Sequence, residues 1–144
     1  MVINGEWMIC ADGVSRPLIR GELQTGNGEW ESVVFLVDTG ADRTVLSAPV
    51  LAELGLPQSG APEQLGGLGG MTEMVTVESN LRLTKQDAGK VNFYTHFAAV
   101  TEVEALDICV LGRDILGLFA VIVDEPQQAV CLLSQRHSYV IAVS

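Results

Sequence analysis

Five consecutive apolar residues, Val33-Val34-Phe35-Leu36-Val37, run directly into Asp38-Thr39-Gly40-Ala41. An unbroken apolar stretch of this length, closed by turn-forming residues, predicts a buried strand. A carboxylate at its mouth stands where the core ends and a cleft can open. Gly40 lets the backbone turn sharply and lets a substrate or a second chain come close.

The chain around this stretch reads as one domain, residues 1–144, long enough to build a real core. Hydrophobic residues make up 48% and charged residues 18%, a balance that argues against disorder. The net charge of -10 argues against nucleic acid as a partner, because phosphate binding needs clustered Lys and Arg, and against anionic membrane surfaces. No apolar run approaches a membrane span. The N-terminal Met-Val-Ile-Asn-Gly-Glu-Trp lacks the basic and apolar regions of a secretory leader. Cys10, Cys109 and Cys131 lie in apolar segments without CxxC spacing and read as reduced core thiols. Together these features lead to the expectation of a cytoplasmic protein.

Short strands separated by turn signals follow one another along the chain. Residues 6–10 and 17–24 read as strands. Thr25-Gly26-Asn27-Gly28 then predicts a hairpin into the strand that ends at Asp38. Residues 44–46 read as a short strand. Residues 47–54 carry helical spacing, with Pro49 in the first turn and Gly55 beyond the end. Residues 57–62 read as loop. From residue 75 to 84 the pattern alternates, with Val75, Val77, Leu81 and Leu83 on one face. After a turn at 85–90, residues 91–101 form a further strand, and 102–107 an acidic connection. Residues 108–112 repeat the opening pattern, an apolar strand ending at glycine, followed by a short helix at 113–118. Residues 119–124 and 129–134 predict a last hairpin, and the tail from 135 ends in a strand-like segment. Many short strands of this kind argue for a closed or folded-over β architecture.

Three pieces carry the chemistry. Asp38-Thr39-Gly40 follows a buried strand. Gly66-Gly67-Leu68-Gly69-Gly70 opens a strand rather than a helix, and it has neither the GxGxxG order nor the Gly-Lys-Ser/Thr of nucleotide-binding loops. Leu111-Gly112-Arg113-Asp114-Ile115-Leu116 joins a strand to a helix. Each has an ordinary structural reading, as a turn, a flexible hairpin or a junction, but their order and separation point to one site. Two histidines, His96 and His137, without ligand spacing do not make a metal site, and no cofactor is expected.

Asp38-Thr39-Gly40-Ala41-Asp42-Arg43-Thr44-Val45-Leu46 resembles the catalytic segment of the retroviral proteases, the retropepsins. Leu65 to Gly70 is similar to their flap tip, and Leu111 to Leu116 to their second ψ-loop and the following helix. Arg16-Pro17-Leu18 is a weaker echo of the N-terminal strand. The chain continues past the helix where viral proteases stop. That ending looks more like the cellular retropepsin-like domains of the DNA-damage-inducible type.

The resemblance implies an all-β, single-domain acid-protease barrel with one or two short helices, completed as a twofold homodimer. Asp38 would be the catalytic aspartate, Thr39 would bond across the dyad, and Gly40 would approach the substrate backbone. Ala41, Asp42 and the flap Gly66, Gly67, Leu68, Gly69 and Gly70 would bind an extended peptide. Asp42 and Arg113 would pair, with Gly112 as structural support. Leu36, Val45, Leu68 and Met71 are candidates for apolar pockets.

The implied activity is that of an aspartic endopeptidase. Two close carboxylates share one proton, so that one activates water while the other polarises the peptide carbonyl. A single chain carries one Asp-Thr-Gly, and an isologous dimer supplies the second. Ala41 stands where pepsin-like enzymes carry Ser, which predicts a mildly acidic rate optimum. The alternative is a dimerising peptide-binding module that keeps the fold but cleaves weakly or not at all.

Overall fold

The computed structural model, which describes residues 1–67, 70–134 and 142, places the chain in two sheets. In chain order the strands are β1 (Val2–Asn4), β2 (Glu6–Ile9), β3 (Ser15–Gln24), β4 (Trp30–Val37) and β5 (Val45–Leu46). They continue as β6 (Gln58–Gly67), β7 (Gly70–Thr84), β8 (Lys90–Val100), β9 (Cys109–Leu111), β10 (Ala120–Asp124) and β11 (Ala129–Leu133). Two short helices, α1 (Ala48–Leu54) and α2 (Arg113–Leu116), and a 3-10 turn at Val103–Ala105 complete the described residues. The larger sheet has eight strands in the order β2-β3-β4-β9-β5-β8-β7-β6, with an added β3–β7 pairing that folds it back on itself. The smaller sheet runs β1-β11-β10.

The core lies inside the folded sheet. Alternation on β4 sends Val33, Phe35 and Val37 inward, while Val34 and Leu36 are half-buried on the other face. Phe35 and Phe97 are both 0% exposed, and burial of a side chain of that size contributes roughly 1.5–3 kcal/mol. The inward face of β7 is Val75, Val77, Leu81 and Leu83, as the period-2 pattern predicts. Helix α1 has Pro49 in its first turn and ends at Gly55 in the left-handed region, φ 59°. Its last carbonyls lack intrahelical donors. The Gly26 amide donates to the Leu54 carbonyl at 2.8 Å and so ties the β3–β4 turn to the helix end.

Several expectations are corrected. Residues 57–62 are mostly not loop, because β6 starts at Gln58 and pairs antiparallel with β7. The register shifts between Ser59 and Glu63, with Gly60 at φ 75°. Pro62 fits there because β6 is an edge strand and the irregular stretch needs no donor from it. Residues 2–4, unassigned in the sequence reading, form β1 against β11. The acidic connection contains the 3-10 turn. Position 142 apart, the tail from 135, including His137, lies outside the described residues, as do Leu68 and Gly69.

Candidate active site

Strands β4 and β9 lie side by side and parallel, Val37 opposite Leu111. Both therefore end at the same place, and the two loops that leave them meet. The Asp38 amide donates to the Leu111 carbonyl at 3.2 Å. Asp38, half-buried, then turns the chain: Gly40 N–H donates to its Oδ1 at 3.0 Å, and Ala41 N–H to its carbonyl at 3.2 Å.

The second loop braces the first. Arg113 N–H donates to the Ala41 carbonyl at 2.8 Å, and Asp114 N–H to the Asp42 carbonyl at 3.2 Å. Thr44, fully buried, is the hinge of the contact. Its amide donates to both oxygens of the Asp114 carboxylate, at 2.9 and 3.0 Å, and its hydroxyl donates to Oδ1 at 2.7 Å. The same hydroxyl oxygen accepts from Gly112 N–H at 3.2 Å. Only glycine fits at position 112, since a Cβ there would lie 2.4 Å from the Arg43 carbonyl carbon and oxygen. Asp42 pairs with the Arg113 guanidinium, both side chains largely exposed in the single chain.

A cleft of about 680 Å³ opens beside this junction. Asp38, Gly40, Ala41, Asp42 and Arg43 line it from the first loop, and Val45, Val100 and Val110 from the strands around it. Glu104, Ala105 and Leu106 enter from the 3-10 turn and its exit, and Gly66, Gly70, Met71 and Thr72 from the far end of the β6–β7 hairpin. The buried Thr72 hydroxyl has no hydrogen-bond partner among the described residues.

The structure thus gathers Asp38, Gly40, Ala41, Asp42, Gly66 and Gly70 around one space, with Gly112 and Arg113 behind the turn. Thr39 is exposed at the turn, and Gly67 pairs with Gly70 at the hairpin end. Of the pocket candidates, Val45 and Met71 line the cleft, whereas Leu36 does not; it lies between Leu18 and Val110 within the sheet. Sequence reasoning missed Glu104, Ala105, Leu106 and Thr72 as lining residues, and it missed the joint between Thr44 and Asp114. Burial pushes the Cys109 thiol up, and a protonated thiol is a poor nucleophile. No cluster of three or more metal-ligating side chains occurs among the described residues.

Comparison with known proteins decides the family. The family model for aspartyl proteases matches residues 21–115, which span both loops, the cleft and the hairpin. The chain belongs to the aspartyl protease family. Among solved structures, the EIAV protease complexed with the inhibitor HBY-793 is similar, at 25% identity and a TM-score of 0.51, over 71% of this chain and 86% of that one. A retropepsin-like aspartic protease from Rickettsia conorii shares the fold at 19% identity and a TM-score of 0.56, covering 92% of this chain and 97% of that one. The fold is that of the retropepsins, as the motifs predict. No curated protein matches the chain.

Proposed function

We propose that this member of the aspartyl protease family is an endopeptidase whose active centre forms between two copies of the chain. The observation that carries the reading is the single Asp38-Thr39-Gly40 turn, braced by the second loop and opening on a cleft that the β6–β7 hairpin also lines. In the single chain Asp38 accepts a bond from Gly40 on Oδ1, and Thr39 is exposed, so both remain available to a partner's turn.

In the dimer the two Asp38 carboxylates face each other and hold one proton between them, because both cannot ionise cheaply at that separation. The ionised carboxylate takes a proton from water as the water oxygen attacks the peptide carbonyl. The protonated one donates to the carbonyl oxygen, giving a tetrahedral diol. Proton return to the amide nitrogen then lets the C–N bond break. Thr39 steadies the two turns against each other, Gly40 lies against the peptide backbone, and the Asp42–Arg113 pair supports the first loop.

The hairpin carrying residues 66–70 acts as a flap. Its glycines permit a wide excursion, and its strand edge bonds an extended peptide while water is excluded. Val45, Val110, Leu106 and Met71 give the cleft apolar lining for side chains that flank the bond cut. Strand β10 further supports a dimer. Among the described residues it pairs only with β11, and it exposes Ile122 and Val123, an arrangement that favours an added partner.

The test compares wild type with Asp38→Asn on a denatured protein or a peptide library between about pH 3 and 7. Cleavage by wild type alone, with specific activity rising with protomer concentration, is the expected result. Because Ala41 has no hydroxyl, the rate maximum is expected in mild acid; a maximum near pH 2 would count against this reading. Equal cleavage by both proteins, or by neither, would leave a peptide-binding module as the reading.

A further inference from the structure

Among the described residues, four ionisable side chains line the cleft: Asp38, Asp42, Arg43 and Glu104. Two of them already have partners, since Asp42 meets Arg113 and Arg43 lies 3.9 Å from Glu63. Glu104 has no ion-pair partner among the described residues. Its acidic neighbours Glu102 and Asp107 do not line the cleft, and neither does Glu73, whose carboxylate is 3.5 Å from the Thr101 hydroxyl. Among the described residues Glu104 therefore brings an unpaired carboxylate to the cleft beside the apolar Ala105 and Leu106.

We propose that Glu104 is a specificity-determining residue that selects a lysine or arginine side chain in the bound peptide. This deepens, and rests on, the peptidase reading above. A basic side chain has an aliphatic stem that can lie along Leu106 and Ala105 while its head reaches the carboxylate. A glutamate side chain at that position would instead meet Glu104 and leave the cleft more negative. Twofold symmetry gives the complete site two copies of Glu104. The preference for a basic residue should then appear at two peptide positions, equally far from the scissile bond on either side.

The whole molecule, at -10, also attracts cationic peptides at long range. The two effects separate cleanly, because Glu104→Gln removes one charge in ten and leaves the general attraction almost intact. If Glu104 is merely a solvated surface residue, its loss changes no ratio.

The experiment uses peptides identical except at one position, carrying Lys, Gln or Glu there, with that position scanned on both sides of the bond cut. For wild type the Lys-to-Gln ratio of kcat/KM is expected to be about three- to tenfold at low salt. It should shrink as salt is added. It should fall toward one in Glu104→Gln, and Glu104→Lys should favour the Glu peptide. Ratios are read within each protein, so an overall loss of rate in a variant does not enter. Fluorescence anisotropy of the same peptides on Asp38→Asn reads the preference without turnover. A Lys preference that survives in Glu104→Gln, or a wild-type ratio near one, overturns the proposal. Glu104-dependent binding without cleavage by wild type would keep the proposal and reject the peptidase. Peptides neither bound nor cut would reject both.

Discussion

The junction behind Asp38 and the far end of the β6–β7 hairpin border the same cleft, yet they are built in opposite ways. The junction is cross-braced between residues about seventy positions apart, with a buried threonine serving as both donor and acceptor. Among the described residues, the hairpin end is braced mainly by the pairing of its own two strands. Strand β8 joins β7 from Met74 onward, so the last pairs, from Gln64 with Glu73 to Gly67 with Gly70, have no third strand among the described residues. Its link to the junction side is the long Arg43–Glu63 contact at 3.9 Å, between exposed side chains that contribute little. One border of the cleft is therefore held by buried cross-bonds, while the other, among the described residues, lacks any comparable brace. Local stability differs across a fold in this way wherever a binding segment must open.

The largest test of the contrast is Gly112→Ala. The new methyl would meet Arg43 backbone, which cannot swing aside as a side chain could. A loss of about 3 kcal/mol or more is expected in chemical denaturation. Wild-type stability would mean that the two loops are not held against each other. Next comes Thr44→Val, which keeps the volume but removes the hydroxyl. Gly112 N–H is left without its acceptor, and Asp114 loses one of its donors. The expected cost is about 1–3 kcal/mol, measured the same way. Asp42→Asn should matter less, because Asp42 is 80% and Arg113 58% exposed in the single chain. At most about 1 kcal/mol is expected for such a pair. A loss of several kcal/mol that grows with protomer concentration would place the pair under the partner subunit.

The same contrast explains what the amino-acid order discloses. The strand into Asp38, the β3–β4 turn and helix α1 were all legible, because apolar runs, Asn-Gly turns and Pro/Gly punctuation act over a few residues. The three motifs led to the right family for a similar reason, since each is a short, chemically demanding stretch. Strand β6 was hidden because Pro57, Gly60 and Pro62 are locally turn formers, and only pairing with β7 makes the segment a strand. The joint between Thr44 and Asp114 has no local signature, as it exists only once β4 and β9 are parallel neighbours. Leu36 was misassigned for want of the sheet, which decides the surroundings of each β4 face. Glu104 looked like one more solvated acid in an acidic connection, and only the folded chain brings it to the cleft.

The smallest expected change in stability belongs to Gly66→Ala, and it is also the sharpest test of the comparison. A Cβ at position 66 would lie 3.1 Å from the sulfur of Met71, the mobile part of a side chain that is 67% exposed. The neighbour can give way, and replacing glycine restricts the unfolded chain, which favours folding by about 0.4–1 kcal/mol where the backbone tolerates it. The net change in folding free energy should therefore stay within about 1 kcal/mol, of either sign. If the hairpin closes on a peptide as proposed, function should respond differently, because an added methyl beside the cleft would keep the strand edge from closing fully on the peptide backbone. A displacement of that order can lower kcat/KM by roughly ten- to a hundredfold. Denaturation and peptide cleavage measured on one preparation would separate the two. A large loss of stability would show that the hairpin end is held as firmly as the junction. Unchanged kcat/KM would remove the hairpin from the binding surface, and with it the reason for its glycines.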